Sequence, residues 1–254
     1  MRASGAVTRS TLRQQIADAL RDEVLAGRLQ PGREFTVKQI AEQYGVSATP
    51  VREALFDLSA QGLLESDQHR GFRVHEFTVA DYRAMVEART LVMDAVIRDV
   101  FTGALPSPAK QTAYRDALVS VRRRAEEASR AARGGDLDIL IGYDLRFWRE
   151  LGALVGNSYI TDFLHRLRVQ AWVFAVPYLR GDADVRDWLW NGHPELVAAI
   201  TQRDREALRR AVEDYNEHAL SWADRLAAGD PADPGPAPLP DGPDGPAAGG
   251  PPRS

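Results

Sequence analysis

The chain has 254 residues, 44% of them apolar and 27% charged, which is ordinary for a globular protein of one or two domains. Its net charge of −4 gives no overall basic excess of the kind that nucleic-acid-binding domains usually carry, and the absence of cysteine excludes disulfides and thiolate metal sites. No apolar run has the length of a membrane span and no signal-peptide core is present, so we expect a cytoplasmic protein with no membrane partner.

The first predicted element is a helix. Apolar residues recur at helical spacing from Leu12 to Leu25, and the pattern ends near Gly27. Residues 1–9 carry no such pattern, and we expect them to be flexible.

Two short helices separated by a tight turn are predicted next. The first covers residues 37–44, because Val37, Ile40, Ala41 and Tyr44 have the i, i+3, i+4, i+7 spacing of one buried face. Gly45 ends it, since glycine readily leaves the right-handed helical region. Ser47 is placed to accept hydrogen bonds from the free amides of the second helix.

The second of these helices has two contrasting faces. Its inward stripe consists of Val51, Ala54, Leu55 and Leu58, and its outward face of Thr49, Arg52, Glu53 and Phe56. This layout is typical of a helix-turn-helix, whose second helix enters the major groove of DNA.

A small hairpin follows, which we interpret as a wing. Residues 63–65 and 71–75 predict two short strands joined by a polar, partly basic tip. Up to Glu76 the basic and acidic residues are equal in number, so DNA binding there depends on where the charges lie.

From Thr78 onward helical periodicity dominates the sequence. The predicted helices are residues 79–101, 108–132, 136–155, 158–178, 183–202 and 204–227, with a possible division of the fifth before Pro194. Six helices with short links and no strand signal indicate an antiparallel bundle. Residues 229–254 are crowded with proline and glycine, and we expect this tail to be disordered.

Several short blocks stand in a fixed order between residues 31 and 74. They are Pro31-Gly32, Phe35, Ile40-Ala41, Gly45-Val46-Ser47, Val51-Arg52-Glu53-Ala54-Leu55, Gly62-Leu63-Leu64 and Gly71-Phe72-Arg73-Val74. In order and spacing they resemble the winged helix-turn-helix of GntR-type bacterial regulators.

This resemblance implies double-stranded DNA as a partner. The implied contact residues are Lys38, Ser47, Thr49 and Arg52 in the helix-turn-helix, and His69, Arg70 and Gly71 in the wing. Lys38 stands where the family usually has arginine, and Ala48 where many members have arginine. The departure at Ala48 bears on which operator sequence is read, not on whether DNA is bound.

Sparser blocks follow in the helical part. They are Arg89, Asp144-Leu145-Arg146-Phe147, Gly156-Asn157, Arg168, and His193 followed by Leu196, Ile200, Asp204 and Ala207. They resemble the helical effector domain called FCD in the FadR branch of the GntR family, and the number of helices favours its VanR-like subgroup.

The resemblance implies a metal site that this sequence only partly retains. Many FCD domains hold a divalent metal with one aspartate and three histidines, and the metal holds a carboxylate effector. Asp144 and His193 occupy two of these positions, but Trp148 and Tyr215 stand where two histidines are expected. We therefore expect no cofactor, with a rearranged divalent metal site of Asp144, His193 and His218 as the alternative.

The remaining side chains predict a pocket for an organic effector. The predicted effector-binding residues are Arg89, Asp144, Trp148, Arg168, His193, Tyr215 and His218. Aromatic walls with a few convergent polar groups are typical of small-molecule sites, and Arg89 and Arg168 are candidate carboxylate clamps. Alternatively, Trp148 and Tyr215 simply fill the core where a metal would lie, and the two arginines form surface salt bridges.

The sequence thus predicts a mainly α protein with a winged helix-turn-helix and an antiparallel helical bundle. We expect a flexible segment at 1–9, a DNA-binding domain at 10–76, an effector-binding and dimerisation domain at 77–228, and a disordered tail at 229–254.

The predicted function is a homodimeric transcription regulator, not an enzyme. We expect a repressor that binds a palindromic operator and is released by a small carboxylate-type metabolite. One alternative is a constitutive dimeric DNA binder without an effector. Another is an all-helical metal-dependent enzyme with an appended winged helix, although no nucleophile elbow, phosphate loop or HExxH motif is present.

Overall fold

The structure, a computed structural model, describes residues 4–67, 71–102 and 108–228 and is mainly helical, as the sequence predicts. The helices are α1 (Ser4–Leu25), α2 (Val37–Tyr44), α3 (Ala48–Ala60), α4 (Val79–Thr102), α5 (Pro108–Gly134), α6 (Leu137–Ala153), α7 (Ser158–Gly181), α8 (His193–Gln202) and α9 (Arg205–Ala227). The strands are β1 (Glu34–Phe35), β2 (Leu64–Asp67) and β3 (Gly71–Val74). The predicted wing contacts His69 and Arg70 and the predicted tail lie outside the described residues.

The turn between α2 and α3 has the predicted bounds with one difference at its cap. Thr36 and Gln39 form a capping box at the start of α2, and Gly45 ends it in the left-handed region with φ 64°. Ser47 occupies the N-cap of α3, but contrary to the sequence prediction its side chain makes no capping hydrogen bond. The helix starts without one because exposed first-turn amides can bond water and Pro50 has no amide hydrogen.

The inward face of α3 forms the core of the N-terminal part. Val51, Ala54, Leu55 and Leu58 are all buried, as predicted, and they belong to one cluster with Leu20 of α1. Each large aliphatic side chain buried in this way contributes roughly 1.5–3 kcal/mol. The packing leaves the opposite face of α3 exposed.

The wing is part of a three-stranded antiparallel sheet in the order β1-β3-β2. Phe35 pairs with Phe72, and Glu65 pairs with Arg73. The sequence predicts only two of these strands, because β1 has two residues and shows no alternation.

Several helix bounds differ from the prediction by a few residues, and two helices differ by more. The first helix begins at Ser4, within the segment predicted to be flexible, because extending an existing helix costs far less than starting one. The predicted fifth bundle helix is divided: a short 3-10 helix at Val185–Trp188 precedes a link, and α8 starts at His193 with Pro194 in its first turn.

The winged part and the bundle contact each other directly. One buried apolar cluster runs from Leu20 in α1 through Val169 in α7 to Trp222 in α9. The Gln170 side chain of α7 also donates a hydrogen bond to the backbone oxygen of Gln61, at 2.7 Å. In the described ranges, none of the helices combines the length and apolarity needed to cross a membrane.

The close contact between β1 and the start of β3 generates a prediction about the stability of the protein. Gly71 has φ +98°, and a Cβ there would lie 2.6 Å from the backbone oxygen of Phe35. We expect Gly71→Ala to lower the free energy of unfolding by about 2–3 kcal/mol, because the side chain adds both backbone strain and a clash with β1.

Gly45→Ala is the matched control. Gly45 also has positive φ, at +64°, but a Cβ there meets nothing within 4 Å. Its expected loss is about 1 kcal/mol, from backbone strain alone. Urea denaturation measures both values, and equal losses would contradict the clash with Phe35.

Candidate DNA-binding surface and ligand cavity

The outward face of α3 and the start of α2 form one surface. Thr49 and Arg52 are exposed on α3, and the Ser47 side chain is exposed at the N-terminus of that helix. Lys38 and Arg52 line the same shallow groove between α2 and α3. The structure thus exposes all four predicted contacts of the helix-turn-helix and brings two of them, Lys38 and Arg52, to the same groove.

The wing lies against this surface through an aromatic contact. The rings of Phe56 on α3 and Phe72 on β3 meet edge to face, with centroids 5.4 Å apart. Gly71, the remaining predicted wing contact, begins β3 directly before Phe72. No hydrogen bond or ion pair holds the Arg52 side chain within the described residues, which leaves its guanidinium available to a phosphate or a base edge.

In the bundle, the polar centre is the buried carboxylate of Asp144 on α6. Its Oδ1 accepts hydrogen bonds from Trp148 Nε1 at 3.0 Å and from His193 Nε2 at 2.9 Å. Its Oδ2 accepts one from Trp172 Nε1 at 2.8 Å. Burial raises the pKa of the Asp144 carboxyl, but the hydrogen bonds from His193 and Trp172 and nearby positive charge outweigh this and hold it below its ordinary value.

These hydrogen bonds decide whether a divalent metal fits the site. A metal ion needs free lone pairs on the carboxylate, whereas three of the roughly four lone-pair sites of Asp144 already accept N–H donors, from Trp148, His193 and Trp172. The alternative ligands Asp144, His193 and His218 do not form such a site either, because no group of three metal-binding side chains occurs among the described residues. The residues present therefore do not fit the metal that the FCD resemblance implies.

Arg89 on α4 enters the bundle core, where it is 4% exposed. Its Nε donates to Asn216 Oδ1 at 2.9 Å and its Nη1 donates to the Tyr215 hydroxyl at 3.0 Å. The guanidinium carbon lies 4.2 Å from the centre of the Tyr215 ring. The phenol oxygen of Tyr215 and the amide oxygen of Asn216 thus accept hydrogen bonds from the charged guanidinium.

Arg168 on α7 is buried to the same degree, at 3% exposed. Its Nη2 contacts Met93 Sδ at 3.3 Å, and its guanidinium carbon lies 4.0 Å from the centre of the Trp148 ring. Burial lowers the pKa of Arg168 to about 10. Neither Arg168 nor Arg89 forms a salt bridge among the described residues, so the alternative of two surface salt bridges is wrong.

A cavity of about 70 Å³ lies between α4, α6, α7 and α9. Six of the seven predicted effector-binding residues line it: Arg89, Asp144, Arg168, His193, Tyr215 and His218. The seventh, Trp148, instead lines a neighbouring apolar cavity of about 120 Å³, and Arg168 lies at the border of both. Trp148 therefore packs behind the predicted pocket and holds Asp144.

The aromatic walls of the cavity are largely missed by the sequence prediction. Tyr82, Trp172, Trp188 and Trp190 contribute to the lining beside Trp222, which follows Tyr215 and His218 at helical spacing as the sequence predicts. Trp188 ends the short 3-10 helix and Trp190 comes from the link that follows it, so regular helical spacing could not place them. The one available signal was the crowding of tryptophan between residues 172 and 190.

Several buried polar atoms around the cavity lack a hydrogen-bond partner in the described structure. They are Arg89 Nη2, Arg168 Nε, His193 Nδ1, Asn216 Nδ2 and His218 Nε2. Unpartnered buried polar groups each cost about 1–3 kcal/mol, so a polar ligand group in this cavity would be stabilised by the donors among them.

The sequence matches two families of known proteins. Residues 12–74 match the family described as bacterial regulatory proteins, gntR family, and residues 97–218 match the FCD domain. Neither match distinguishes the VanR-like subgroup, which stays a prediction.

Two curated relatives extend over most of the chain. An uncharacterized HTH-type transcriptional regulator in unstable DNA locus, from Streptomyces ambofaciens, is 32% identical over 235 residues, covering 87% of this chain and 89% of the relative. A probable D-xylose utilization operon transcriptional repressor from Paenarthrobacter nicotinovorans is 29% identical over 206 residues, covering 81% and 86%. Among solved structures, E. coli McbR/YncC is 22% identical with a TM-score of 0.63, covering 85% of this chain and 98% of that chain, and supports the fold.

The Asp144 cluster generates a stability prediction. Asp144→Asn replaces an acceptor oxygen with a donor and removes the only buried carboxylate in the part of the chain that the structure describes. We expect it to lower the free energy of unfolding by about 3–5 kcal/mol, because it orphans an N–H donor and leaves two buried guanidiniums uncompensated. Asp138→Asn on the same helix is the control: Asp138 is exposed and pairs with Arg180, so its loss should stay within about 1 kcal/mol.

Acid should reduce the difference in unfolding free energy between the wild-type protein and Asp144→Asn. Because folding lowers the pKa of Asp144, the stabilisation from its carboxylate is complete above its ordinary pKa, about 4, and is lost as the pH falls through the lowered value. Urea denaturation at several pH values measures this, and a difference that is constant down to about pH 2 would contradict a charged Asp144.

Proposed function

Because this chain belongs to the GntR family of bacterial transcriptional regulators and carries an FCD domain, we propose that it is a repressor released by a small carboxylate-type metabolite. Regulators of this family bind DNA, and FCD domains bind small-molecule effectors. The observation that carries the proposal is the pair of buried guanidiniums, Arg89 and Arg168, which border one cavity without a carboxylate partner.

In this proposal, DNA meets the surface formed by α2, α3 and the wing. Lys38, Ser47, Thr49 and Arg52 supply the contacts from the helix-turn-helix. Gly71, with His69 and Arg70 beside it in the sequence, supplies those from the wing. Two copies acting as a homodimer on a palindromic operator would compensate for the weak net charge of each module.

We place the boundary between the DNA-binding and effector domains between residues 76 and 77. The Thr78 side chain accepts from the amide of Asp81, and the Asp81 carboxylate accepts from the amide and hydroxyl of Thr78. This reciprocal cap starts the first bundle helix, which supports a boundary just before it.

Helix α7 is the physical connection between the cavity and the recognition helix. Arg168 and Trp172 line the cavity, whereas Gln170 between them bonds the backbone oxygen of Gln61, at the C-cap of α3. Residues two positions apart project from roughly opposite sides of a helix. A ligand that repositions Arg168 therefore moves the helix that holds the end of α3.

This connection can act as a switch only if the ligand favours one arrangement of the two domains. Arg168 has no anionic hydrogen-bond partner among the described residues, while Gln170 and Gln61 are in contact. An anion that binds Arg168 would supply the differential interaction, and a change in the α7–α3 contact would transmit it to the recognition helix.

Arg52 provides the test of DNA binding. We expect Arg52→Ala to weaken binding to a fragment of the protein's own upstream region by about 10- to 100-fold, as for the loss of a bidentate base contact. If Arg52 instead contacts phosphate, the slope of log affinity against log salt should fall by about one. Arg28→Ala is the control, because Arg28 lies in the groove between α1 and α6. Unchanged affinity and slope in Arg52→Ala would contradict the proposed surface.

Gln170 provides the test of the connection. A panel of small carboxylates is first screened for release of the wild-type protein from operator DNA. We expect Gln170→Ala to reduce that release at least about fivefold while carboxylate binding to DNA-free protein stays unchanged, because the variant removes only the contact with Gln61. The control is Gln202→Ala at the exposed end of α8. Release of the wild type by no carboxylate in the panel would favour a constitutive DNA binder.

A further inference from the structure

We propose that the cavity binds a small aromatic monocarboxylate without any metal ion, and that Arg89 and Arg168 supply the positive charge that a metal supplies in other FCD domains. This ligand class rests on the proposed function, because it concerns the same cavity. It goes further by stating the charge, the shape and the metal independence of the ligand.

The ligand charge follows from the charges that border the cavity. Arg89 and Arg168 contribute two positive charges and Asp144 one negative charge, with histidine counted as neutral, and all three side chains are at most 4% exposed. One positive charge is left over in a region where uncompensated charge is costly. A monoanion restores neutrality, a dianion overcompensates it, and a cation is repelled.

The same two residues account for the missing metal ligands and for the support of the two guanidiniums. Trp148 and Tyr215 stand at the two positions where FCD domains with metal carry histidine. Each of these rings supports one guanidinium: Trp148 lies 4.0 Å from Arg168, and Tyr215 lies 4.2 Å from Arg89. The two replacements therefore remove metal ligands and hold two organic cations in the same part of the bundle.

The aromatic walls favour a planar apolar body. Tyr82 and four of the five tryptophans of the chain line the cavity. The indole N–H groups of Trp172 and Trp190 already donate to Asp144 and Asp214, so these residues offer ring faces rather than donors. A flat aromatic ring can stack on these faces, while its carboxylate accepts from the unpartnered donors Arg89 Nη2 and Arg168 Nε.

The volume of the cavity limits the size of the ligand. At about 70 Å³ it is smaller than the ~150 Å³ cavity known to accept benzene in another protein. The ligand therefore has a single ring, and side chains on the open side of the cavity move outward when it enters. Benzoate is the simplest molecule of this class.

The first experiment titrates ligands into the full-length, DNA-free protein after dialysis against EDTA, with calorimetry as the readout. We expect benzoate to bind in the continued presence of EDTA. Benzamide lacks the charge, cyclohexanecarboxylate lacks the flat ring, and terephthalate carries a second charge, so each should bind at least about tenfold more weakly. Equal binding of any of the three, or benzoate binding only after a divalent metal is added, would overturn the proposal.

The second experiment distinguishes ligand contact from a folding defect. Arg168→Met should weaken benzoate binding at least about tenfold while the melting temperature of the ligand-free protein stays equal or rises, because the variant removes a buried uncompensated charge. Arg166→Met, at an exposed position of the same helix, should keep the wild-type affinity. Full benzoate affinity in Arg168→Met would overturn the proposal.

The outcomes also separate this ligand class from the repressor function. If benzoate fails to bind while another carboxylate releases the protein from DNA, the aromatic ligand is wrong and the repressor function stands. If benzoate binds as described but the protein retards no upstream DNA, the ligand class stands and the repressor function is wrong.

Discussion

The buried carboxylate of Asp144 is the interaction on which the effector bundle depends. Asp144 and Trp148 belong to α6, Trp172 to α7 and His193 to α8, so two oxygen atoms hold three helices together. Its negative charge also compensates one of the two guanidiniums buried nearby. The packing of the helices and the charge of the cavity therefore have a common source, and neither can change without the other.

Helix α7 connects the effector bundle around Asp144 to the DNA-binding part. Within five residues it carries Arg168 and Trp172 towards the cavity and Gln170 towards the end of α3. A buried apolar cluster continues from α1 to α9, so the two parts contact each other through packed side chains. Packed interfaces respond to a ligand by shifting between discrete arrangements rather than by gradual deformation, which is the behaviour a regulator requires.

The parts of the fold that follow local chemistry could be predicted from sequence. The bounds of α2 and the buried stripe of α3 follow from apolar spacing and from Gly45. The wing strand β1 could not be predicted, because two residues are too few to show the alternation of apolar and polar positions that indicates a strand. Asp144 and Trp148 are four residues apart and therefore share a helical face, but the hydrogen bond between them depends on tertiary packing. The same holds for Trp190, which reaches the cavity from an irregular link.

The two guanidiniums also give the ligand-free bundle a source of stored free energy. A metal site of aspartate and histidines binds only when its imidazoles are deprotonated and metal is supplied, so its state depends on pH and metal. Arginine stays charged throughout the physiological range, and here one of the two charges lacks a compensating carboxylate. The free protein therefore bears a desolvation cost that an anion relieves on binding. In the proposed function, an anion that relieves this cost in only one arrangement of the two domains would shift the DNA-binding equilibrium by that difference in free energy.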